Sequence, residues 1–271
     1  MLRYSFKVWL LKQPRLNRLW RGYQARRGVR VGSYADLPGL IRHHANGGSF
    51  VDIGCMWGVN GEYAFLAEQA GAAPVKGVDV FGPTPEFEEK KTAARSSVEF
   101  ILGDACQKAT LDRIGPTDTV FCAGVLYHHP SPYDLLVALR SICRKTLILR
   151  TSTIPEVAGL PNAAVYYPML PEHARKQWNL SRLGLMKQVG ISAPFEPGQG
   201  YGNWFWGITP SCLESMLATA GFRIDARHTE AFAQTVVCTA VANPFMHQLP
   251  DAVDSFELGR QVSASGLAKP A

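Results

Sequence analysis

From Ser49 onward, short apolar runs alternate with stretches whose apolar residues recur at helical spacing. The runs at 50–53, 75–80, 98–102, 119–122 and 146–149 predict five strands. Between them, Tyr63, Leu66, Ala67 and Ala70 fall at i, i+3, i+4 and i+7, and Gly71 follows as a helix stop. Ser131-Pro132-Tyr133-Asp134 offers a cap, a proline at the first helical position and an acid in the first turn. Leu135, Leu139 and Ile142 form that helix's buried stripe, with Arg144 and Lys145 expected at its negative end. Thr209-Pro210 opens a further helix with Leu213, Met216, Leu217 and Ala220 inward and Gly221 at its end. Late runs at 223–227 and 235–242 read as a hairpin-like pair. Strands alternating with helices predict an α/β fold: a doubly wound, mainly parallel, seven-stranded sheet.

Two segments depart from this rhythm. Residues 4–27 mix Trp9, Leu16, Trp20 and Tyr23 with Lys12, Arg15, Arg18 and Arg21, a basic amphipathic helical pattern, and Ser33 is placed to cap a second helix towards His43 and His44. Residues 152–208 carry many prolines, glycines and aromatics and read as an insertion after the fifth strand, over the sheet's active edge. The expected organisation is a helical extension at 1–45, a catalytic domain at 46–243 and a flexible tail at 244–271.

Charge sharpens the picture of the extension. Residues 1–44 hold ten Lys and Arg against one acid, Asp36, although the whole chain is only +6. A basic head on a mildly acidic body suits contact with an anionic surface, tRNA included, or else a solvated arm. No apolar run reaches the roughly 20 residues that cross a bilayer, no secretory cleavage site follows an apolar core, and the six cysteines show no CxxC pairs or disulfide rhythm, so the expectation is a cytoplasmic protein.

The chemistry concentrates at Val51-Asp52-Ile53-Gly54-Cys55-Met56-Trp57-Gly58, an apolar strand that ends in an acid and a glycine turn. A dinucleotide fold uses this place, with an acid about 20 residues later on the ribose, the position of Asp79. The spacing departs from G-x-G-x-x-G, and a carboxylate at Asp52 opposes a pyrophosphate. S-adenosylmethionine carries an ammonium and a sulfonium instead, which carboxylates and aromatic faces favour.

Asp52-Ile53-Gly54-Cys55 with Gly58, then Val78-Asp79, Gly103-Asp104-Ala105 and Asp118-Thr119-Val120-Phe121 resemble the ordered motifs of the Rossmann-type methyltransferases over residues 49–151. The resemblance implies S-adenosylmethionine as cofactor, its methionine portion held by Asp52, Gly54 and Gly58, its ribose by Asp79 and its adenine by Asp104 and Ala105. Cys55 and Cys122, within these motifs, count with the cofactor-binding positions, and their thiols, like that of Cys106, are expected to pack rather than react; no metal site is expected. Met56 stands where the family often has glycine, which predicts a reshaped pocket beside the methionine.

Gly124-Val125-Leu126-Tyr127-His128-His129-Pro130-Ser131-Pro132, with Asn203-Trp204-Phe205 and residues 210–222, is partly similar to the tRNA wobble-uridine methyltransferase and carboxymethyltransferase family. His129 and Pro130 replace the basic residues of its carboxymethyl branch, which implies the ordinary cofactor. His128 and His129 are the candidate bases, since an imidazole can be neutral and ready to take a proton near pH 7. Tyr127, Trp204 and Trp206 are candidate acceptor-binding residues. The leading reading is O-methylation of a small metabolite or glycoside. A tRNA-modifying enzyme and a non-catalytic cofactor-binding module are the alternatives.

Overall fold

The structure, a computed structural model, describes residues 35–154, 156–157, 159–173, 194–230 and 233–242. The basic segment 4–27, Ser33 and the tail 244–271 lie outside the described residues. Strands β1 (Phe50–Ile53), β2 (Val75–Asp79), β3 (Glu99–Leu102), β4 (Thr117–Ala123), β5 (Cys143–Ser152), β8 (Phe222–Thr229) and β9 (Ala233–Ala240) form one seven-stranded sheet. Its order is β3-β2-β1-β4-β5-β9-β8, parallel from β3 to β5 and antiparallel across β5-β9-β8. Two short strands of the insertion, β6 (Ala164–Tyr166) and β7 (Trp206–Ile208), pair only with each other.

Helices cover both faces, which explains why the central strands are apolar at consecutive positions. In β4, Val120 and Cys122 pack on one face with α4 (Lys108–Ile114), α5 (Pro132–Ile142) and α6 (Pro210–Ala220). Phe121 packs on the other with α1 (Leu37–Ala45), α2 (Glu62–Gln69) and α3 (Pro85–Ala94). Alternate residues thus enter two separate cores, and a polar side chain at either position would be buried without partners.

The structure revises two expectations at helix ends. Asp36 caps α1, its side chain accepting the Gly39 N–H at 3.0 Å. Leu37, Ile41 and Ala45 line up at i, i+4 and i+8 and are buried against the sheet. Arg144 and Lys145 do not close α5; that helix ends at Ile142 and β5 starts at once, because Cys143 already pairs with Thr117 of β4. Arg140, in the last turn, supplies the cation instead: its guanidinium donates to the main-chain oxygens of Cys143, Gly221 and Val241. Among the described residues, no helix is long and apolar enough to cross a membrane.

Candidate cofactor and acceptor site

A cleft of about 570 Å³ runs across the carboxyl ends of β1 to β4. This is where a doubly wound sheet opens a crevice, since successive connections leave to opposite faces on either side of β1. Gly54, at the end of β1, has φ +82°, and a Cβ there would lie 2.2 Å from Cγ2 of Val125. Only glycine lets the turn pass this close to the β4 loop.

Asp79 ends β2 and faces the cleft, its two oxygens accepting the N–H groups of Met56 at 2.8 Å and Phe81 at 2.9 Å. It thereby ties the glycine turn to its own loop, and burial raises its carboxyl above the ordinary aspartate value. Asp104, beyond β3, accepts the Cys106 N–H at 2.8 Å and the hydroxyl of Tyr201. Burial pushes this carboxyl up, but His129 opposite, the Tyr201 hydroxyl and the Cys106 N–H together draw it down to about 2. Asp104 is therefore fully charged at neutral pH.

The β4 loop supplies the histidines from a single 3₁₀ turn, Leu126–His128, and the residue after it. Nδ1 of His128 donates to the main-chain oxygen of Asn203 at 2.8 Å. A carbonyl only accepts, so Nδ1 carries the proton and Nε2 keeps a lone pair in the neutral ring. Burial lowers the His128 pKa below its usual value, so the ring is neutral at pH 7. His129 is placed differently. Its Nδ1 lies 2.9 Å from the Ser131 oxygen and 3.1 Å from the Ser131 nitrogen, and its ring stacks on Tyr201. Its buried Nε2 forms no hydrogen bond and lies 3.8 Å from Asp104.

No protein-family model and no curated protein sequence matches the chain. Among solved structures, the chain is similar to the 1,6-didemethyltoxoflavin-N1-methyltransferase of Burkholderia thailandensis, with 13% identity over 88% of this chain and 90% of that one and a TM-score of 0.51. The fold is that of the Rossmann-type methyltransferases. The N-terminal domain of EvdMO1 (20% identity, 78% and 82% of the chains, TM-score 0.49) and the magnesium protoporphyrin IX methyltransferase of Synechocystis PCC 6803 (19%, 75% and 81%, 0.47) are also similar.

Within this methyltransferase fold, Gly54, Asp79, Asp104, Ala105, Tyr127, His128, His129 and Trp204 line the one cleft, whereas Asp52, Cys55, Gly58, Cys122 and Trp206 do not. Asp52 is buried behind the turn with Oδ2 unpartnered. Burial and the neighbouring Asp79 raise it to about 8, so it is neutral at pH 7. Any charge opposing a pyrophosphate comes from Asp79 and Asp104 instead. Cys55 packs over β2, where a Cβ on Gly77 would lie 2.9 Å from its Sγ, and Cys122 is enclosed in β4; burial raises both thiols. Gly58 has φ +72° and shapes the turn rather than the cleft wall. Met56 does not reshape the pocket, since its side chain is buried in the core under α2 and only its N–H serves the site.

Trp206 belongs to β7, donates Nε1–H to the Pro130 oxygen at 2.8 Å and packs at a tilt against Tyr166. It lines a separate groove of about 440 Å³ beside Pro132 and Met216. The strand begins only at Trp206, so strand alternation does not carry it to the side of Trp204.

Sequence reasoning missed Tyr201, on the 3₁₀ segment Pro197–Gly202, which reaches Asp104 across 97 positions without a local pattern to announce it. It also passed over the cluster of Asp104, Cys106 and His129, whose donor atoms lie within 4.8 Å of one another. There Asp104 is already hydrogen-bonded, and burial and Asp104 hold the Cys106 thiol up at about 12.

Proposed function

We propose that the chain is an S-adenosylmethionine-dependent methyltransferase that acts on a hydroxyl of a small metabolite or glycoside, with His128 as the base. The observation that carries this reading is the set of groups that line one cleft: Asp104, Asp79, the Gly54 turn and an imidazole with a free Nε2. The described lining holds two carboxylates and neither Lys nor Arg. That donor set fits a cationic cofactor without phosphates, whereas a nicotinamide dinucleotide would set its pyrophosphate among carboxylates with no cation to offset it. The toxoflavin enzyme of the same fold was crystallised with S-adenosylhomocysteine, which supports the same assignment.

In this reading Asp79 accepts the ribose hydroxyls, Asp104 accepts from the adenine amino group beside Ala105, and the turn at Gly54 receives the methionine portion. When bound, the cofactor supplies an electrophilic methyl group on a sulfonium. Tyr127 and Trp204 pack around the acceptor, and His128 Nε2 accepts its hydroxyl proton as the oxygen approaches the methyl carbon to roughly 3–3.5 Å. His129 orients Asp104 and takes no proton.

Calorimetry with S-adenosylmethionine, S-adenosylhomocysteine and NAD tests the cofactor. Micromolar binding of the first two without the third is expected, and equal NAD binding defeats the assignment. Intact-mass analysis of candidate acceptors after incubation with labelled cofactor tests the transfer, and cofactor binding without transfer to any acceptor favours a binding module. A second reading, tRNA modification, is favoured by the ten basic residues of the first 44.

A further inference from the structure

The acceptor end of the cleft has a composition that divides hydroxyl compounds by class. Trp57 stands on the glycine turn with 67% of its surface exposed, unusual for a tryptophan so near the centre of a fold. It is nonetheless held in place. Its ring meets Phe81 edge-on at 5.2 Å, lies nearly parallel to His128 at 6.4 Å, and reaches Gly202, where a Cβ would lie 3.6 Å from Cη2. A fixed, exposed indole beside the base is a stacking platform.

The groups around it are Gly124, Tyr127, His128, Gly202 and Trp204. Among these described residues there is no carboxylate, amide or cationic side chain. Their side-chain polar atoms are the free Nε2 of His128, its Nδ1, which Asn203 already engages, the Tyr127 hydroxyl, which Ser152 engages, and the indole N–H of Trp204. A sugar ring enclosed here would leave several hydroxyls without partners, and leaving buried polar groups unpaired is the strongest basis for rejecting a ligand. A flat ring with one hydroxyl satisfies the site.

Resting on the methyltransferase reading above, we propose that the acceptor is an uncharged planar aromatic ring bearing a phenol-like hydroxyl, stacked on Trp57 with that hydroxyl at Nε2 of His128. The oxygen–methyl bond forms while the sulfur–methyl bond breaks, its electron pair passing to sulfur, and the hydroxyl proton moves to Nε2 and then to water. Proton acidity agrees. Burial makes His128 a weak base, better matched to a phenol, which ionises near pH 10 as tyrosine does, than to the far less acidic alcohols of a sugar.

The test uses the full chain saturated with S-adenosylhomocysteine, with 7-hydroxycoumarin and methyl glucoside as probes in calorimetry, and both as acceptors with labelled S-adenosylmethionine. The expected result is that 7-hydroxycoumarin binds and methyl glucoside does not. Trp57→Ala should weaken coumarin binding at least tenfold, Trp57→Phe should restore most of it, and the loss in S-adenosylhomocysteine affinity should be several times smaller than the loss for coumarin. Preferred binding or methylation of methyl glucoside, binding of neither probe, or coumarin affinity indifferent to Trp57→Ala overturns the acceptor class while leaving the cofactor assignment standing. Failure of S-adenosylhomocysteine itself to bind defeats the underlying reading and this one with it.

Discussion

The main-chain oxygen of Asn203 fixes the tautomer of His128, 75 residues earlier, through a 2.8 Å hydrogen bond to Nδ1. Asn203 is itself held by its amide, which donates to the oxygens of Glu196 and Gly200 and accepts the Glu196 N–H. His128→Gln is therefore expected to lower kcat by about 10²- to 10⁴-fold with cofactor affinity retained. In the wild type, the acidic limb of kcat should lie below pH 6.5, because burial lowers the His128 pKa and activity needs the neutral ring. Asn203→Ala should displace that limb, since it loosens both the burial that lowers the ring and the hydrogen bond that raises it. A kcat profile for the three proteins decides it, and an unchanged limb in both variants removes His128 from the reaction.

His129→Ala should behave differently from the His128 variant. Nε2 of His129 faces Asp104, the proposed adenine acceptor, so the expected change is a weaker affinity for S-adenosylhomocysteine with kcat at saturation nearly intact. Steady-state kinetics under saturating cofactor, alongside calorimetry, separates the two roles. A collapse of kcat at saturating cofactor would return His129 to the chemistry.

Asp79→Ala removes the proposed ribose acceptor and also releases the N–H groups of Met56 and Phe81. A charge-assisted hydrogen bond is worth about 1.5–3 kcal/mol, so affinity should fall by at least about tenfold. Asp79→Asn, which keeps one acceptor oxygen, should lie between. Calorimetry with S-adenosylhomocysteine measures both, and normal binding by the alanine variant would mean that β2 ends elsewhere than at the ribose.

The strand ends that hold Asp79, Asp104 and the His128 loop were legible because apolar runs announce strands, and in a doubly wound sheet ligand groups sit where those runs stop. What lay beyond the sequence was direction. Met56 sits on the same turn as Gly54, yet its side chain turns into the core, since a turn has no period from which orientation can be read, and Asp52, in β1 two residues before that glycine, is buried away from the cleft. Trp206 enters a different groove from Trp204, because the chain becomes a strand only at Trp206 and the composition of the insertion carries no period that tells the two tryptophans apart. Tyr201 depends on a contact between distant segments, which no local pattern encodes.

Asp52 also gives the protein a measurable pH dependence. Its folded carboxyl is raised to about 8, so between its unfolded value near 3.9 and pH 8 the folded state binds more protons, and stability falls as pH rises. His44 and His128 are lowered and act with the opposite sign, but only below about pH 6.5. From pH 6.5 to 8 the thermal midpoint should therefore decline, and Asp52→Asn should flatten that decline. A midpoint equally steep in the variant would assign the effect to another group.

Removing residues 1–30 separates the metabolite reading from the tRNA reading. It deletes nine of the ten early basic residues and leaves Arg42. Filter binding of unmodified tRNA across a salt series should show only weak, non-specific association in full-length and truncated protein alike. Tight binding that falls steeply with salt and with truncation, together with a methylated wobble uridine, would establish the tRNA reading instead.

Because β6 and β7 form a ladder of their own beside the seven-stranded sheet, the insertion is grafted onto that sheet rather than woven into it. New acceptor specificities can therefore evolve, or be engineered, by exchanging this module while the ladder that carries Asp79 and Asp104 is inherited unchanged. Such a transplant must keep two attachments to the cleft, the Tyr201 hydroxyl on Asp104 and the Asn203 oxygen on His128, besides those of Phe205 and Trp206 to the main chain of the β4 loop. A donor module that lacks either would arrive with its pocket walls intact and its registration to the cofactor half lost.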